Sequence, residues 1–94
     1  MKNKHPRTIT GYNRSLRQLA KEIGNMTYDQ VALFIKELSQ DLERQSQADL
    51  GRGRKKLAKD LHDAAQQLAE AHLKMVSAWE ICKPYMPENK NSSE

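Results

Sequence analysis

Between Leu57 and Cys82 the positions Leu57, Leu61, Ala64, Leu68, His72, Met75, Trp79 and Cys82 follow one another at steps of three or four. That spacing lays a single stripe along a helix, with Ala65, Ala69 and Val76 at its edge. No Gly or Pro interrupts the run, and Ala, Leu, Lys, Glu and Gln fill most other positions. Propensity and pattern therefore agree on a helix about 40 Å long at 1.5 Å per residue. Pro84 ends it, because the residue before a proline avoids the helical region. Tyr85 and Met86 are placed to fold back as a cap.

Two shorter patterns precede this rod. From Gly11 to Ile23 the apolar positions Tyr12, Leu16, Leu19, Ala20 and Ile23 form one face, and Arg14, Arg17 and Lys21 form a separate basic line. Gly24 then predicts a left-handed stop. The next helix opens on Thr27, whose spacing to Gln30 predicts a capping box, with Met26 and Val31 placed as a hydrophobic staple. Its stripe runs Val31, Phe34, Ile35, Leu38 and Leu42, and is expected to fade where Gln45 and Asp49 take the next inward places. A turn is expected over 46–53, hinged at Gly51 and Gly53.

These patterns predict an all-α fold: a long antiparallel helical hairpin with a short N-terminal helix packed at its base, a three-helix bundle. Residues 1–10 read as a basic flexible arm, 11–87 as one helical domain, and 88–94 as a disordered tail. Leu33, Leu73 and Ile81 lie off the main seam, toward the end where the hairpin opens. Apolar surface there that the first helix does not cover is a candidate surface for a partner.

Composition changes this picture modestly. Ninety-four residues with a single Cys make one small domain with no internal disulfide framework. No apolar run approaches the roughly 20 residues needed to span a bilayer, and the basic N-terminus has no apolar stretch behind it, so the expected location is the cytoplasm. Charge is segregated. Residues 1–24 carry six Lys/Arg against one Glu, residues 25–50 two against five acids, and residues 51–94 eight against six. Opposite signs on successive segments suit internal docking or an anionic partner.

Candidate chemistry is sparse. The run QLAKEIG, with Leu19, Ala20, Ile23 and Gly24, resembles the first helix and turn of the helix-turn-helix motif. It departs from that pattern six positions after the Gly, where Gln30 stands and Val31 follows one place late. Glu37, Asp41 and Glu43 on the would-be recognition helix would also face phosphates. QLAKEIG reads equally as an amphipathic helix with a Gly cap. Arg52, Arg54, Lys55, Lys56 and Lys59, interleaved with Gly51 and Gly53, form a candidate anion or nucleic-acid site, but match no phosphate-binding loop. The plainer account places these cations beside the carbonyl end of the preceding helix and Asp49, with Lys56–Asp60 and Lys59–Asp63 paired along the next.

His62, His72 and Cys82 sit ten residues apart, about 80° of helix rotation each, so no metal site is expected. No set of residues predicts a catalytic centre or a cofactor, and an enzyme is not expected. The leading expectation is a small cytoplasmic interaction or regulatory module that binds protein, with a second copy of itself among the expected partners. The alternative is nucleic-acid or phosphorylated-ligand binding through the arm, the line Arg14–Arg17–Lys21 and the turn cluster.

Overall fold

The computed structural model describes residues 5–86. The expected tail and the first four residues of the arm lie outside them. Three helices follow in order, α1 (Leu16–Gly24), α2 (Tyr28–Gly51) and α3 (Lys55–Cys82), and Lys83–Tyr85 adds one 3-10 turn. The all-α hairpin is as expected: α2 and α3 pack along their lengths, and α1 rests lightly against the start of α2.

The seam between α2 and α3 is built from small residues seven apart. Ala32, Ser39 and Ser46 are buried on α2, and Ala58 and Ala65 on α3, with His72 the next step in that series. Each pair forms a rung. Ser39 Oγ donates to the Ala65 carbonyl at 2.8 Å, and Ser46 Oγ donates to the Ala58 carbonyl at 2.6 Å. His72 Nδ1 lies 2.9 Å from the Ala32 carbonyl, so that nitrogen carries the proton. The partners step by seven in opposite directions, which fixes the antiparallel register. Small side chains let two helix backbones approach closely, and the hydroxyls satisfy themselves on the facing backbone.

This seam is rotated from the stripes the periodicity predicts by roughly 85° on α2 and roughly 65° on α3, at 100° per residue. Phe34 and Leu38, expected inside, are 41% and 39% exposed, while Ala65, expected at the edge, is 2% exposed. Nor does contact fade toward the turn. Ser46 and Asp49 are buried there, so α2 continues to Gly51 and leaves a turn of only three residues.

Several local expectations are corrected. Gly53, with φ +81°, is the left-handed residue of the turn; the Gly53 N–H reaches the Leu50 carbonyl and the Arg54 N–H the Asp49 carbonyl. Gly24 is not left-handed but helical, and α1 closes on Asn25. The Thr27–Gln30 capping box does not form, because the Thr27 hydroxyl donates to the Asp29 carboxylate instead. A different cap does form: Ser15 Oγ accepts the Gln18 N–H at 3.0 Å, which starts α1 five residues later than expected. Tyr12 and Arg14 therefore lie outside the helix. Tyr85 is 86% exposed and caps nothing.

Candidate interaction surface

One step along a helix turns a side chain by 100°, so the neighbours of each rung residue point to opposite faces of the hairpin. In an antiparallel pair, the residues preceding the rungs share one face. They are Val31, Leu38 and Gln45 on α2, and Leu57, Ala64 and Ala71 on α3, with Ala78 seven places further along. The residues three places after the rungs (Ile35, Leu42, Leu61, Leu68, Met75 and Cys82) lie half-buried beside the seam on that same face. Apart from Gln45 and the inward Asp49, the face is apolar from the turn to the base. The other face carries Gln40, Gln47, Lys59, Gln66 and Glu80, and His62 Nδ1 meets Glu43 Oε1 across it at 2.7 Å.

Little covers the apolar face. The molecule measures 50 × 30 × 15 Å, and its thin dimension holds one layer of helices about 10 Å across. Alpha-helical domains ordinarily bury such faces between two layers. At the base, α1 stands beside α2 across an open apolar groove of about 350 Å³, lined by Leu16, Leu19, Ile23, Val31, Phe34 and Ile35. Leu16 stays 70% exposed there, so α1 widens the apolar surface more than it covers it.

Leu33, Leu73 and Ile81, the off-seam residues expected to mark a partner surface, are all exposed. Leu33 and Leu73 each follow a residue of the Ala32–His72 rung, so they lie on the second face, where Leu50 and Val76 are exposed as well. Since α1 packs on the groove side, it does not reach them.

The basic residues are partly engaged by the protein itself. Asp49, nearly buried, takes Arg54 Nη1 at 3.1 Å and Arg52 Nη1 at 3.6 Å, so both arginines clamp the turn. Lys59 reaches Asp63 at 2.9 Å, and that bond raises the lysine's pKa. The expected Lys56–Asp60 bridge is not formed among the described residues. Lys55 and Lys56 are exposed at the start of α3. Arg14 does not extend a line with Arg17 and Lys21. From the turn before α1 it bonds Glu22 at 2.9 Å, while Tyr12 and Gln18 hold the same carboxylate. The Gln18 amide and then Arg14 keep the Glu22 carboxyl below its usual range. Arg17 and Lys21 remain exposed on α1.

Among the described residues no group of three or more His, Cys, Asp or Glu side chains is placed to hold a metal ion, and no helix is long and apolar enough to cross a membrane. Comparison with family models, with curated proteins and with solved structures returns no match. What the geometry defines is a class only, an all-α three-helix fold in which α2 and α3 pack closely and α1 packs weakly.

Proposed function

We propose that this chain is a small, non-enzymatic interaction module that works by presenting the apolar face of its hairpin to protein, including a second copy of itself. The observation that supports this reading is the thin, single layer of helices: Leu38 and Leu57 stand half in solvent on the face described, and Phe34 in the groove beside it. Continuous apolar surface of this extent marks interaction sites far more often than isolated exposed residues do. A soluble cytoplasmic setting suits it.

The charge-based alternative draws on Arg17, Lys21, Lys55 and Lys56, since Arg14, Arg52, Arg54 and Lys59 already neutralise carboxylates. That division weighs toward the apolar face. Sedimentation equilibrium from micromolar to high micromolar protein tests the proposal. Association is expected in the native chain, and Leu38→Glu should abolish it with helicity unchanged. Leu73→Glu, on the opposite face, should leave it intact. A compact monomer throughout that range would refute the self-association. Salt-sensitive binding of nucleic acid, lost on Lys55→Ala with Lys56→Ala, would favour the alternative.

A further inference from the structure

Resting on that reading, we infer that the groove between α1 and α2 receives an amphipathic helix of a partner protein, one whose edge over α1 is acidic. The chemistry of the walls selects the kind of segment. Leu16, Leu19 and Ile23 on α1 face Val31, Phe34 and Ile35 on α2, and the lining contains no polar side chain. An extended strand laid there would find no hydrogen-bond partner along either wall, whereas a helix satisfies its backbone internally. Length agrees. The nine residues of α1 run about 13 Å, and apolar side chains at i, i+4 and i+7 of a second helix span about 10 Å. A small ligand suits the groove poorly, because such sites bury roughly 70–90% of their occupant. Leu16 is 70% exposed.

Charge differs between the two sides of the groove. On α1 the half-buried Leu19 and Ile23 sit against α2, and the exposed Leu16 and Ala20 follow round the helix. Arg17 and Lys21 come next, each about 100° beyond one of that pair. Both are exposed and, among the described residues, neither has an ionic or hydrogen-bonded partner. The acids nearby are engaged or turned away. Glu22 is held by Arg14, Tyr12 and Gln18, Asp29 by the Thr27 hydroxyl, and Asp41 by Arg44 and Gln45. Glu37 stands about 60° beyond Phe34, on the side of α2 away from Val31 and Ile35. Val31 and Ile35 belong both to the groove and to the apolar face of the hairpin. The second edge of a bound helix therefore lies over apolar side chains, and only the edge above α1 meets cations.

Two synthetic helices with the same leucine pattern test this, one carrying glutamate along one edge and the other lysine there. Each is titrated by fluorescence anisotropy into native protein held dilute enough to sediment as a monomer, and methyl NMR shifts locate the contact. The glutamate helix is expected to bind, shifting the methyls of Leu16, Val31 and Ile35 but not those of Leu73 and Ile81. Arg17→Glu with Lys21→Glu should weaken it about tenfold and make the lysine helix the tighter ligand, since exposed ion pairs each contribute modestly. Leu16→Glu, at a position already mostly in solvent, should keep helicity and weaken the glutamate helix about tenfold or more. Equal binding of the two helices, unchanged by the charge reversal, would overturn the acidic edge. No binding of either below ~1 mM, or dodecanoate shifting the groove methyls when neither helix does, would overturn a helix as the occupant. Sedimentation of the native chain at high concentration reads the underlying proposal separately. A chain that associates through Leu38 while no helix binds refutes the groove alone; one that stays monomeric yet binds the glutamate helix refutes self-association and leaves the groove standing.

Discussion

Ala64 and Ala65 are chemically identical neighbours for which periodicity and structure assign opposite roles. The stripe through Leu61 and Leu68 puts Ala64 inside and Ala65 at its edge. The structure buries Ala65 on the seam, with its carbonyl 2.8 Å from Ser39 Oγ, and leaves Ala64 exposed on the apolar face. Leucine at 65 has no space between backbones held apart only by Ala and Ser side chains. Overpacking of this kind costs about 1–3 kcal/mol. Separating the helices also loosens the Ser39 bond, worth about 1 kcal/mol more. The expected destabilisation is therefore about 2–4 kcal/mol. For a domain of this size that lowers Tm by roughly 10–25 °C. Leucine at 64 should change stability by less than about 0.5 kcal/mol. Because the proposed association would contribute to apparent stability, both variants and the native chain are to be melted by circular dichroism at one fixed concentration, then at a tenfold lower one. If Ala64→Leu is the more damaging substitution at both, the seam described above is wrong.

Further substitutions probe separate parts of the fold. Ser39→Ala and Ser46→Ala each remove a buried hydroxyl bond and should cost about 0.5–1.5 kcal/mol in urea unfolding, additively because the rungs are two turns apart. Gly53→Ala forces a side chain into left-handed backbone at about 1 kcal/mol, whereas Gly51→Ala, helical and facing open space, should stabilise by about 0.5–1 kcal/mol; chemical denaturation must show opposite signs. Asp49→Ala releases Arg52 and Arg54 and should cost about 1 kcal/mol, less in 1 M salt, since both arginines are half in solvent. The Glu43 carboxyl is held below its usual range by the Gln47 amide and then by His62. A depressed folded pKa stabilises the fold above the unfolded carboxylate value, about 4.3, and that stabilisation disappears as pH falls through the folded value. Glu43→Gln should therefore lower Tm near pH 6 and leave it unchanged near pH 2; an equal loss at both would refute the assignment.

Helix existence and polarity were legible in the chain, because propensity and a three-to-four spacing of apolar residues agree over α3, and the hairpin follows from two long amphipathic helices joined at Gly53. The phase of packing was not. Periodicity weights side chains by hydrophobicity, and on that scale Ser39, Ser46 and Ala58 count for little beside Leu38, Leu42 and Leu57. Yet a seven-residue repeat of Ala and Ser on one helix, matched by Ala58 and Ala65 on the other, was present as a signal for close backbone approach. Leu33, Leu73 and Ile81 stand on exposed positions, whereas Phe34, Leu38 and Leu57 were assigned to the interior and missed as surface. The Arg14–Arg17–Lys21 line failed for a local reason: Ser15 caps α1 at the Gln18 N–H, so Arg14 never joins the helix.

The seam and the exposed face have one cause. A helix pair can be centred on its large residues, which holds the axes apart and hides those residues, or on its small ones, which draws the backbones together. The second choice buries Ala and Ser, whose burial contributes little apolar transfer energy, and displaces Leu and Phe to one side. For a chain that buries so few large side chains in its own fold, that side offers further hydrophobic stabilisation on contact. The hairpin's stability and its association should therefore be coupled. Ala64→Leu, neutral where the chain is dilute and monomeric, should raise Tm where it is concentrated, if the leucine packs against a second copy. A Tm for Ala64→Leu that tracks the native chain at every concentration would separate the two and leave the exposed face without a role in assembly.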